Sequence, residues 1–194
     1  MPETIDPNAR YFLFLHNYYV EKNGPLGDCK YHDILASFAE RGFVVISEVR
    51  KGKIIPCTYA EKTVGKVKTL LDAGVRPENI TVGGHSKGGV ITLCIASLLD
   101  NEKINFVVMA GCDIAGVKKH NMYPNFESLK GRMLSIYAAS DSIADSCQDA
   151  FARAPKGLSS MEIILESEFG HQLFFTPLDV WIDPIVDWID KGQP

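Results

Sequence analysis

The sequence predicts an α/β protein built on a doubly wound, mostly parallel sheet of about six strands with helices on both faces. Three observations predict it. Short apolar runs rich in Val, Ile, Leu and Phe recur along the chain without polar alternation, as strands covered on both faces require. Longer segments with helical character separate them, and Gly or Pro stops punctuate the order. Finally, Gly83-Gly84-His85-Ser86-Lys87-Gly88-Gly89 places a serine between glycines where one apolar strand ends and an apolar helix begins.

Taken in order, Tyr11 to Leu15 reads as a strand, Cys29 to Glu40 as a helix closed by Arg41-Gly42, and Phe43 to Ser47 as a strand. Thr58 to Leu71 reads as a helix ended by Ala73-Gly74-Val75-Arg76-Pro77, a Gly-then-Pro stop. Asn79 to Val82 is a short buried strand, and Val90 to Leu99 continues the turn around Ser86 as a helix. Strands follow over Asn105 to Ala110, Arg132 to Ala138 and Glu162 to Leu165. A short helix near Ser146 to Ala152 precedes the last of these strands, and a final helix runs from about Pro177 to Ile189.

The 194 residues, 46% of them hydrophobic, suffice for one well-buried core, so residues 1–194 are expected to form a single domain. A net charge of -4 argues against nucleic-acid binding. No apolar run reaches the 18 residues of a membrane span, and the N-terminal segment lacks a basic region and an apolar core, so a soluble cytoplasmic protein is expected. Five cysteines without a C-x-x-C spacing suit a reducing compartment and buried thiols. Cys112 and Cys147 follow neighbouring strands and could approach one another, but free thiols are the expectation for them. No metal and no cofactor is implied.

Ligands of doubly wound sheets bind beyond the C-terminal strand ends. Those ends carry His16-Asn17-Tyr18, Glu48, Arg50, Ser86, Cys112-Asp113, Asp141 and His171. Serine is a weak nucleophile, so an imidazole must take its proton and a carboxylate must fix that imidazole's tautomer. Ser86, Asp141 and His171 supply the three types. Asp141 competes with Asp145, which could instead cap the next helix. His32 and His120 fit poorly, His85 reads as packing beside the elbow, and His16 reads as ordering its own loop. Lys87, in a helix's first turn, opposes the helix dipole. Its expected partner is Glu48, Asp113 or Asp145, or else Lys87 and Arg50 favour an anionic substrate.

With the elbow and the order serine, acid, histidine, the chain resembles the α/β-hydrolase family from Tyr11 to Ile189. The resemblance implies a small, lidless member lacking the first two strands of the full family sheet, and hydrolysis of carboxylic esters or related acyl compounds through an acyl-enzyme. It also implies an oxyanion hole from the Lys87 N–H and a second N–H at Asn17 or Tyr18. Thioesters or lactones are alternative substrates, and a non-catalytic ligand-binding module is the alternative from outside enzymology. Tyr18, Tyr19, Met122, Tyr123 and Phe126 are candidate pocket aromatics, and Tyr18, Arg50 and Lys87 are candidate substrate contacts.

Overall fold

In the computed structural model six strands form one sheet in the order β2-β1-β3-β4-β5-β6, every neighbouring pair parallel. The structure describes residues 1–114, 123–155 and 157–192. The strands are β1 Arg10–Leu15, β2 Phe43–Ile46, β3 Ile80–His85, β4 Asn105–Met109, β5 Gly131–Ala138 and β6 Leu158–Leu165. Alternate side chains of β1 show why both faces are covered. Tyr11, Leu13 and Leu15 enter one apolar layer, and Phe12 and Phe14 enter the other.

Helices α3 (Pro56–Asp72) and α4 (Lys87–Leu98) build the first layer through Ala60, Val64, Leu70, Ile91 and Ile95. Helices α2 (Tyr31–Glu40) and α6 (Asp179–Asp190) build the second through Ile34, Phe38, Trp181 and Ile185. The remaining helices are short: α1 (Tyr18–Asn23) follows β1, and α5 (Gln148–Arg153) precedes β6. All six predicted strands are present in the predicted order. The segment expected to be irregular after β1 contains α1, and β6 begins four residues earlier than its apolar run because Ser159, Ser160 and Met161 lie exposed at the sheet edge.

From β1 the chain passes to β2 on one side and then crosses back to β3 on the other. The C-terminal ends of β1 and β3 therefore flank the topological switch point, where a crevice opens.

The cysteines depart from the free-thiol expectation. Cys57 is bonded to Cys94, joining the first turn of α3 to α4, and Cys112 is bonded to Cys147, joining the segment after β4 to the start of α5. Cys29 is the free cysteine, and it is buried. Among the described residues no helix is long and apolar enough to cross a membrane.

Candidate active site

Ser86 sits between β3 and α4 with φ 55° and ψ -118°, a strained conformation for a residue with a Cβ. Its N–H donates to the Met109 carbonyl at 2.9 Å and its carbonyl accepts the Val90 N–H at 3.0 Å, so the two flanking elements hold the strained turn. The glycines let the chain pass so close. A Cβ on Gly88 would lie inside the Leu15 carbonyl, and one on Gly84 would come within 2.5 Å of the Gly88 backbone carbon.

His171 lies in a short 3-10 segment, Gly170–Phe175, after β6, and Asp141 lies in the turn after β5. Asp141 Oδ2 is 2.8 Å from His171 Nδ1, and the carboxylate is fully buried. Its other oxygen, Oδ1, accepts the N–H groups of Ile143 at 2.8 Å and Ala144 at 3.0 Å, which fixes the plane of the carboxylate. Asp145, the sequence competitor, instead accepts its neighbour Ser146 N–H and pairs its backbone with Cys112. The ambiguity between the two acids is thereby resolved for the contact to His171.

Ser86 and His171 line one cavity of about 690 Å³ beyond the sheet's C-terminal edge. Its walls are mostly apolar, from Tyr18, Tyr19, Pro56, Val90, Ile114, Ile143 and Phe175, with Asn17, Lys22, Asn23 and Lys87 as further polar members. Of the aromatics expected there, Tyr18 and Tyr19 are present. Tyr123 and Phe126 line a different cleft, beside Cys112 and Arg153. Met122 and His120 lie outside the described residues.

The turn after β1 is set by Asn17. Its Oδ1 caps α1 by accepting the Val20 N–H at 2.9 Å, and its Nδ2 donates to His85 Nδ1 at 3.1 Å. His85 is buried against the His171 ring, with centroids 4.8 Å apart. Burial, reinforced by that second imidazole, holds its pKa well below the usual histidine range, so it is neutral. His16 is also neutral. Its Nε2 accepts the Arg50 N–H at 2.7 Å, and burial, then Arg50, push its pKa down to about 4. His16 thus ties its loop to the turn after β2, and His85 packs beside the elbow.

Arg50 does not face the cavity. Its side chain is 1% exposed, its guanidinium donates to the His16 carbonyl, and its Nε lies 3.6 Å from Glu21 Oε2. The expectation that it contacts substrate is therefore corrected: no surface remains for one. Lys87 lines the cavity, but its ammonium pairs with Glu21 Oε1 at 2.6 Å. That partner is none of the three acids anticipated; Glu48 is occupied by Tyr59, Lys62 and Lys66. A carboxylate 66 residues away leaves no local signal, although Glu21 and Lys87 are both placed by turns recognisable at strand ends. Among the described residues no three His, Cys, Asp or Glu side chains cluster as a metal site.

No protein-family model and no curated protein sequence matches the chain. Solved structures do. A variant of SOBER1 from Arabidopsis thaliana superposes with a TM-score of 0.62 at 17% identity, covering 94% of this chain and 99% of that one. Acetyl xylan esterase 1 from Thermoanaerobacterium gives 0.64 at 13% identity, over 100% and 77% of the two chains. An acetyl xylan esterase from Paenibacillus gives 0.62 at 14%, over 98% and 77%. With the all-parallel six-stranded sheet, these likenesses establish the α/β-hydrolase fold.

Proposed function

We propose that the protein is a serine hydrolase that cleaves carboxylic esters or related acyl compounds. The observation that carries this reading is the buried Asp141–His171 contact at the cavity into which the strained Ser86 turn also opens. Fold likeness to esterases agrees with it but does not assign it.

Asp141 accepts a hydrogen bond from Nδ1–H of His171, leaving Nε2 with a lone pair. That nitrogen takes the Ser86 proton as Oγ bonds to the acyl carbon, and the carbonyl oxygen becomes an oxyanion. The oxyanion is met by backbone N–H groups at the start of α4 (Lys87) and after β1 (Tyr18), neither of which has an acceptor within its own helix. Tyr18 is taken as the second donor because its N–H is the first of α1 and has no acceptor within that helix; Asn17 lines the same cavity, and its side chain holds the cap and His85. His171 returns the proton to the departing alcohol, and water attacks the acyl-enzyme by the same route in reverse. The steps use only side-chain and backbone groups. The apolar walls select an uncharged, apolar acyl group.

The cytoplasmic expectation drew on the N-terminal segment and on free thiols; the two disulfides remove the second of these grounds and favour an oxidising compartment. Hydrolysis of p-nitrophenyl esters of rising acyl length tests the activity. Turnover that peaks at a medium acyl length and disappears in Ser86→Ala is expected. Equal, background-level rates in folded native and variant proteins would remove ester hydrolysis as the activity.

A further inference from the structure

Among the described residues, the Lys87–Glu21–Arg50 cluster is a buried group of charges beside the cavity whose side chains the chemistry above leaves unused. Glu21 and Arg50 side chains are 2% and 1% exposed, and that of Lys87 is 13% exposed. Such a group is expensive to bury unless its geometry accomplishes something. Here the three charges come from three separate segments: α1, the strand-end turn after β2, and the first residue of α4.

Resting on the hydrolase reading, we propose that Glu21 is a positioning residue that sets the distance between the two backbone donors of the oxyanion site. Lys87, whose N–H is one donor, reaches from the first position of α4 to Glu21 on α1 at 2.6 Å, and its ammonium lies 5.5 Å from the ring of Tyr18, whose N–H is the other. The second oxygen of Glu21 faces Arg50, which in turn holds the His16 carbonyl at the end of β1. One carboxylate thus ties together the segments that carry both donors.

The tie is needed because α1 is only six residues long, too short to hold its own geometry. Its fixed points are the Asn17 cap, buried Val20 and Glu21. Losing Glu21 releases the last turn of α1 and with it the direction of the Tyr18 N–H. The pairing also explains a lysine in the first turn of α4, where a lone cation opposes the helix dipole. It weighs against the idea that Lys87 recruits an anionic substrate, since its ammonium is held on a buried carboxylate that it shares with Arg50.

The test compares native protein, Glu21→Gln, Lys87→Met and Lys87→Arg, with thermal melts confirming the fold. Each is assayed with a neutral p-nitrophenyl ester and with one of equal length ending in a carboxylate. The expected result is a fall in kcat of about 10- to 100-fold for Glu21→Gln and Lys87→Met, with KM changed by less than about threefold. Lys87→Arg should recover most of the loss, and the preference between the two esters should not move. Lys87→Met keeps the test open if Glu21→Gln fails to fold, because Arg50 still answers Glu21 in it. Unchanged kcat in Lys87→Met, or a loss confined to KM or to the anionic ester, overturns the positioning role alone. Absence of Ser86-dependent turnover in the native protein overturns the hydrolase reading, and the role with it.

Discussion

Replacing Asp141 by Asn is the perturbation whose consequence the geometry defines most sharply. Asp141 Oδ1 accepts two backbone N–H groups, from Ile143 and Ala144, while Oδ2 faces His171 Nδ1 at 2.8 Å. An amide placed there must keep its oxygen on the two N–H donors, since turning it round would set NH2 against them. Its NH2 therefore faces Nδ1, which must become an acceptor and move the imidazole proton to Nε2. His171 then presents a proton to Ser86 where the mechanism needs a lone pair. The same tautomer error in a well-studied serine protease lowers kcat about 10⁴-fold, or roughly 5 kcal/mol of transition-state stabilisation. A loss of that order is expected here for Asp141→Asn, with little change in KM and a nearly native melting temperature, because the amide is isosteric. Asp145→Asn should cost less than about threefold, since Asp145 serves its own turn. Steady-state kinetics on the best p-nitrophenyl ester measures both. A loss below tenfold for Asp141→Asn, or a greater one for Asp145→Asn, refutes the assignment.

Three further outcomes follow from the fold. His16 has its folded pKa pushed down to about 4 against 6.5 in the unfolded chain, so its stabilising contribution is complete above pH 6.5 and is lost as the pH falls toward 4; unfolding in urea should show a decline of roughly 3 kcal/mol across that window, to which buried His85 adds in the same direction, and a flat profile would disprove it. Thiol titration in denaturant should find one reactive cysteine, Cys29, before reduction and five after it; each bridge closes a loop long enough to stabilise by about 4 kcal/mol, so reductant should lower the melting temperature markedly, and five thiols without reductant would contradict both pairings. Gly88→Ala should lose about 4 kcal/mol or more, lowering the melting temperature by about 10 °C or leaving the protein insoluble, because a Cβ there meets the Leu15 backbone and not a side chain that can turn aside; a native-like melt would show that the elbow is looser than described.

Much of the fold was legible because a parallel sheet buried on both faces writes itself as uninterrupted apolar runs. β1, β3, β4 and β5 each appeared that way, and the Gly-rich turn around Ser86 marked where the crevice opens. The first half of β6 was hidden, since edge residues Ser159 and Ser160 face solvent and carry no apolar signal. α1 was hidden for a different reason: six residues with Tyr18 exposed show no helical stripe. Ser86 was readable from the Gly-rich turn between strand and helix and His171 from its position after the last strand, but choosing between Asp141 and Asp145 needed the turn, because three residues separate two acids that follow the same strand. Pairings between distant segments left no trace in local pattern. Glu21 with Lys87, Cys57 with Cys94 and the withdrawal of Arg50 from the cavity all depend on contacts between segments distant in sequence.

The most direct test of the central claim is reaction of the native protein with an active-site fluorophosphonate, followed by peptide mass mapping. A single adduct on Ser86, absent from Ser86→Ala and slowed in Asp141→Asn, is the result predicted by a serine activated through His171. A folded native protein that stays unlabelled, or that carries the adduct on another residue, would contradict it.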